Sequence, residues 1–225
     1  MSEQEDRWQQ FEGDKIPASL DLFPVIYKFL KKKDRILDIG CGFGKACFDL
    51  WEKDYKNLYG IDISKSGIDF AQRRLRETGM GDIEERFLVA DAQNIPFEDS
   101  RFDLIITQAF WTSIMPKERV TIIKEINRLL RKGGTYYLAQ FGQTWSHPLY
   151  KKRYENGIKK GYEKGSFENI DKKTGELKYI VHHYTKEELE GLLKIVNFRI
   201  VYYSKEIFTT QSGNKIDGHL IIAQK

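Results

Sequence analysis

The sequence has little cysteine, no long apolar run and almost no net charge. Only two of its 225 residues are cysteines, Cys41 and Cys47, and they lie six positions apart. That spacing matches no common metal clip and cannot found a disulfide framework, so no metal is expected and a reducing compartment is the simplest setting. No stretch approaches the ~18 uninterrupted apolar residues of a membrane-spanning helix. The opening MSEQEDRWQQ is polar and acidic, unlike a signal or transit sequence, which points to a cytoplasmic location. Internal repeats and low-complexity tracts are also missing.

What is present points to a packed core. Hydrophobic residues make up 40% of the chain, and 14 Phe, 12 Tyr and 4 Trp exclude a weakly hydrophobic, disordered polymer. The length suits one domain with a sizeable interior. Lys and Arg number 37 against 33 Asp and Glu, a net charge of +4. Residues 150–178 alone hold nine basic and five acidic side chains, so this one stretch carries the whole excess.

Leu20, Phe23, Ile26, Tyr27 and Leu30 predict a helix over 17–31, opened by Pro17 and kinked or restarted at Pro24. From RILDIG onward, short apolar strands alternate with helical patterns: KACFDLWEKD, NLYGID, the helix from Ser64 to Glu77, ERFLVAD and FDLIITQ. A helix beginning at Pro116, with Gly133 as its expected stop, leads to the strand TYYLAQFG. Between Gly142 and His183 periodicity breaks down, although 148–164 can hold a helix. Thr185 and Glu188 then form a capping box ahead of an amphipathic helix. FRIVYY is a strand, and the final segment reads as a hairpin about SGN. The expectation is a doubly wound α/β fold: seven strands, mostly parallel, helices on both faces and an antiparallel last strand.

The chemistry concentrates in Leu37-Asp38-Ile39-Gly40-Cys41-Gly42-Phe43-Gly44, at a strand-to-helix turn. Glycines there permit close approach of a ligand, and the helix behind offers free N–H groups. A dinucleotide fingerprint needs glycines at i, i+2 and i+5, but here they fall at 40, 42 and 44, with Lys at 45. Asp62 ends the second strand, where a carboxylate can accept both hydroxyls of a ribose. Ile63 follows, placed to pack on an adenine. Asp91 ends the third strand, suited to an exocyclic amine, with Ala92 offering a backbone N–H. Taken singly, each acid is as readily a helix cap or turn residue. Together, the three would face one crevice at the carboxyl edge of the sheet.

DIGCGFG, YGIDIS, VADAQNIPF, FDLIITQ and LLRKGG, in that order, resemble the successive motifs of the class I S-adenosylmethionine-dependent methyltransferases over about residues 30–142, and more loosely to the C-terminus. The resemblance implies that Gly40, Cys41, Gly42 and Gly44 form the loop around the cofactor's methionine part, with Cys41 at a variable position. Asp38 would orient the loop and the cofactor amine, Asp62 would hold the ribose, and Ile63, Asp91 and Ala92 would meet the adenine. Gln108 would lie beside the sulfonium. It further implies one methyltransferase domain over 1–225: an N-terminal helical segment (1–33), a cofactor-binding core (34–142), a lid insertion (143–182) and a C-terminal helix and hairpin (183–225).

The acceptor is less legible. Amino-directed nucleic-acid enzymes of this class carry an Asp/Asn-Pro-Pro-Tyr/Phe motif after the fourth strand, where this chain reads Thr107-Gln108-Ala109-Phe110-Trp111. No Pro-Cys pair for attack on cytosine follows either. Phe110 and Trp111 suggest an apolar wall, or else ordinary core. The lid contributes Trp145, Tyr150 and Tyr184 as candidate acceptor contacts. His183 and His147 are candidate general bases, although paired histidines before a helix are commonly structural. The favoured reading is a small-molecule methyltransferase, monomeric or homodimeric. Its alternatives are an RNA methyltransferase using the basic lid, a non-catalytic S-adenosylmethionine-binding module and a nicotinamide oxidoreductase.

Overall fold

All four residues of β1 (Ile36–Ile39) are buried, as a strand covered on both faces requires. In the computed structural model, which describes residues 20–171, 173–210 and 213–225, β1 pairs in parallel with β2 (Leu58–Asp62) and β4 (Phe102–Gln108). β3 (Phe87–Val89) extends the sheet beyond β2, and β5 (Leu130–Phe141) beyond β4. β9 (Lys215–Gln224) runs antiparallel between β5 and β8 (Arg199–Thr209). The order β3-β2-β1-β4-β5-β9-β8 reverses between β1 and β4. At that switch the loops leaving two neighbouring strands diverge and open a crevice.

The helices are α1 (Lys45–Glu52), α2 (Lys65–Glu77), the single turn α3 (Ile83–Arg86), α4 (Pro116–Leu129), α5 (Pro148–Lys159) and α6 (Lys186–Ile195). Alternation along β1 sends Ile36 into the core under α1 and α2, and Leu37 and Ile39 into the core under α4 and α6. The sheet is therefore covered on both faces.

Three expectations change. The helix expected over 17–31 is a short 3-10 turn, Pro24–Lys28, and Pro17 lies outside the described residues. The helix expected to stop at Gly133 ends at Leu129, and β5 starts at once. Lys225 Nζ donates to the Asn127 and Leu130 carbonyls at 2.6 and 2.7 Å, so a cation closes the helix end that a glycine was expected to cap. Gly133 instead takes φ 71° within a β5 irregularity and donates its N–H to the Lys225 carbonyl. Lastly, the segment without clear periodicity contains a hairpin, β6 (Ser166–Ile170) with β7 (Leu177–His182). The expected turn about SGN includes Ser212, outside the described residues; Thr210 and Asn214 pair across it.

The hairpin and α5 form one unit. A Cβ on Gly157 would stand 2.0 Å from the Ser166 carbonyl oxygen, so α5 rests on β6 where only glycine fits. Gly157→Ala gains about 1 kcal/mol of helix propensity but must force α5 off β6, at a cost of about 1–3 kcal/mol. The expected net result, read by differential scanning fluorimetry, is a Tm lowered by a few degrees with unchanged S-adenosylhomocysteine affinity. A raised Tm would show that the two elements separate freely.

Candidate active site

The loop after β1 turns through three left-handed glycines, Gly40, Gly42 and Gly44, at φ 74°, 53° and 79°. Their tasks differ. A Cβ on Gly40 would lie 2.6 Å from the Phe110 ring, so the loop and the residue after β4 meet across the crevice. Gly44 is the α1 N-cap, where a Cβ would press on Ala71 of α2 at 3.1 Å. Phe43 and Lys45 on either side of Gly44 line the crevice, and its lack of a side chain also serves the packing of α1 on α2.

Asp62 secures the loop. One carboxylate oxygen accepts from the Gly42 N–H at 2.8 Å and the other from the Ser64 N–H at 2.8 Å. The Ile63 N–H is a further backbone donor to this carboxylate, which offers about four acceptor sites in all. Burial raises its pKa, and the backbone hydrogen bonds to Ser64 and Gly42 oppose the rise. Asp38, 4% exposed on β1, has no such support. Burial, with the neighbouring Asp62 charge, pushes its carboxyl up to about 8. Asp91 turns back onto its own loop, accepting from the Gln93 N–H at 2.9 Å and the Gln93 side-chain amide at 3.2 Å.

Gln108 ends β4 with its amide NH₂ donating to the Leu20 carbonyl at 2.8 Å. Its Oε1 is buried with no hydrogen-bond partner among the described residues. A buried acceptor left open in this way costs about 1–3 kcal/mol and is suited to a ligand N–H.

These residues border one cavity of about 870 Å³ that continues under the lid. Asp38, Gly40, Cys41, Gly42, Asp62, Ile63, Asp91, Ala92 and Gln108 all line it, as do Phe110, Tyr150 and His183. The chamber end is built by spacing: Tyr150, Arg153 and Gly157 share a face of α5, and Tyr179, Val181 and His183 alternate along and just past β7.

Several candidates stand elsewhere. Trp111 is fully buried and donates its indole N–H to the Tyr136 hydroxyl at 2.9 Å; Tyr184 donates its hydroxyl to the Trp111 carbonyl at 3.0 Å. Both are core in place of acceptor wall. The reason is local: Ala109 takes φ 52°, so Phe110 turns to the cavity and Trp111 to the interior. Trp145 is half-buried, donates to the Gln143 side chain and packs on Tyr154, away from the cavity wall. His147 is the α5 N-cap and also lies off the wall.

His183 borders the chamber but is a weak base. It is 3% exposed, with Tyr150 and Phe167 rings 5.3 and 5.1 Å away. Burial, with the nearby His182 and Arg153 charges, lowers its pKa to about 3. Its Nδ1 pairs with the Tyr154 hydroxyl at 2.7 Å.

A family model described as a methyltransferase domain matches residues 36–134. A solved structure from Methanosarcina mazei, described as a SAM-dependent methyltransferase, is 44% identical at a TM-score of 0.85, covering 92% of this chain and 99% of that one. The chain belongs to the S-adenosylmethionine-dependent methyltransferases. Two curated relatives match part of the chain. The eEF1A lysine and N-terminal methyltransferase homolog of Drosophila pseudoobscura pseudoobscura is 29% identical over 60% of this chain and 22% of its own length. Methyltransferase GfsG of Streptomyces halstedii is 33% identical over 47% and 37%. This chain thus spans only a fifth to two fifths of those relatives.

The cofactor of this family is S-adenosylmethionine, and the crevice fits it. The open Gln108 acceptor and the isolated Asp38 carboxyl suit an ammonium group, and the Gly40 cradle leaves backbone bare where a Cβ would close the gap. Among the described residues no group of His, Cys, Asp and Glu could hold a metal ion, and no helix is long and apolar enough to cross a membrane.

Arg153, Phe167 and Tyr179 stood in the sequence only as members of a basic, aromatic lid, and Val181 not at all. The helical spacing of Tyr150, Arg153 and Gly157 was the signal that could have found the first.

Proposed function

We propose that this chain transfers a methyl group from S-adenosylmethionine to a small-molecule acceptor held in the lid chamber. The supporting observation is the cavity itself: one space runs from the strand-end acids and glycine loop to an aromatic chamber roofed by α5 and the β6–β7 hairpin. When bound, S-adenosylmethionine supplies an electrophilic methyl group on a sulfonium. Asp38 and the Gln108 Oε1 would hold the amino group, Asp62 the ribose hydroxyls, and Ile63, Asp91 and Ala92 the adenine. Phe110 and the lid exclude water, so alignment in a dry site supplies much of the acceleration. His183, neutral and weakly basic, is poorly suited to deprotonate an acceptor, which favours acceptors that arrive already nucleophilic.

An RNA acceptor fits less well. Three of the nine basic side chains in 150–178 face carboxylates, Lys160 with Glu168, Lys178 with Asp171, and Lys151 4.0 Å from Glu155. The face toward the crevice carries Tyr150, Phe167, Tyr179 and Val181 beside its polar residues. The test incubates the protein with methyl-labelled cofactor and three cell-extract fractions: small molecules, RNA and protein. Label is expected in the small-molecule fraction. Label in RNA or protein, or in none of the three, would overturn the proposal.

A further inference from the structure

Among the described residues, Arg153 is an unpaired charge in the chamber, as is Lys159 on the same helix. Its guanidinium lies 5.3 Å from the centre of the Tyr150 ring and 5.2 Å from that of Phe167, and it lines the cavity. No carboxylate among the described residues lies within ion-pair distance of it. The lid carboxylates on the same wall are engaged elsewhere. Glu168 accepts from Lys160 and from the Tyr162 hydroxyl at 2.9 Å. Asp171 pairs with Lys178 at 2.8 Å and accepts from the Lys173 and Thr174 N–H groups. A half-buried guanidinium stacked between rings, with its N–H fork uncommitted, has the geometry that reads a carboxylate or phosphate.

A second donor stands nearby. The Thr144 N–H donates to the Tyr154 hydroxyl oxygen at 3.3 Å, so the Tyr154 hydrogen is free to point at His183 Nδ1, 2.7 Å away. That arrangement leaves the ring proton of neutral His183 on Nε2, as a donor. Phe141, Tyr150, Phe167, Tyr179 and Val181 give the chamber an apolar side, beside polar residues that include Asn156, Lys159 and Glu168. The seat is also rigid, because α5 is fixed against β6 at Gly157.

We propose that Arg153 anchors an anionic group of the acceptor, so that the substrate is a small organic acid: a carboxylate or phosphate carried on an apolar or aromatic body. This rests on the methyl-transfer reading for the position of the acceptor. Arg153 acts as a binding and specificity residue for the anion, apart from the cofactor crevice.

The experiment titrates S-adenosylhomocysteine-saturated protein with matched pairs: indole-3-acetate and indole-3-acetamide, octanoate and octanamide, phenyl phosphate and phenol. At least one acid is expected to bind ten times or more tighter than its neutral partner, and the carboxylate and phosphate arms identify the anion. Arg153→Met keeps the apolar stem over the rings and removes the fork. It is expected to abolish the acid preference, a loss of roughly tenfold to a hundredfold, while S-adenosylhomocysteine affinity and Tm stay within error. Arg153→Lys should restore part of the preference. No acid preference in any pair, or a preference that survives in Arg153→Met, overturns the proposal. Failure of S-adenosylhomocysteine itself to bind would instead remove the methyl-transfer reading, and the acid–neutral comparison would then decide the anion site alone.

Discussion

Asp62→Ala is expected to weaken S-adenosylhomocysteine binding by about 100-fold or more, since two charge-assisted hydrogen bonds of about 1.5–3 kcal/mol each would be lost to the ribose. The same substitution strips the Gly42 and Ser64 N–H groups of the oxygens they reach at 2.8 Å. The loop is then unpinned before any ligand arrives, and the variant should melt at lower temperature. Asp62→Asn separates this from a simple loss of charge. Both carboxylate oxygens accept from backbone N–H, so an amide must turn its NH₂ toward one of those donors. Asn is therefore expected to recover little of the affinity. Isothermal titration calorimetry measures it, and an Asp62→Asn affinity within a fewfold of wild type would show that neither the charge nor the second acceptor oxygen of Asp62 is needed. Unchanged binding in Asp62→Ala would sink the assignment of the crevice.

The crevice was legible because its residues are fixed by the strand period. β1, β2 and β4 are short and largely buried, and each carries its acid or amide at or next to its end: Asp38 one residue before the end of β1, Asp62 closing β2, Gln108 closing β4. A strand's end fixes where its last side chain stands, and topology brings the ends together. The lid offered no such constraint. Along β7 the inward Tyr179 and Val181 alternate with Lys178 and Ile180, and a half-buried isoleucine on the outer side blurs the polarity contrast that would announce a strand. Phe110 and Trp111 are neighbours with opposite fates, decided by one left-handed residue, Ala109, that no composition rule singles out. His147 and His183 illustrate the same gap. Residue type suggested a base, but burial made one a weakly basic, neutral ring and position made the other a cap.

Asp38 carries the second large effect, and its sign can be worked out. In the unfolded chain a carboxyl titrates near 4, whereas in the folded protein burial and Asp62 hold Asp38 up to about 8. Between those values the folded state retains a proton that the unfolded state has released. Folding stability therefore falls as pH rises across that window, by up to about 1.4 kcal/mol per pH unit, and levels off above it. A ligand ammonium group reverses the preference, since it stabilises the ionised carboxylate. Wild-type affinity for S-adenosylhomocysteine should rise from about pH 6 to about pH 8. Calorimetry in buffers of different ionisation enthalpy should show close to one proton released per ligand near pH 7. Asp38→Asn cannot ionise. It is expected to bind about 10–150-fold more weakly at pH 8, the worth of one hydrogen bond to a charged group, with no pH dependence from this position. At that pH the ligand-free variant should also melt several degrees above wild type, because the buried charge is gone. A gain in stability joined to a loss of binding is the mark of a residue kept in an unfavourable state for its ligand. Wild-type affinity that is flat from pH 6 to 8 would show that Asp38 is already ionised in the free protein.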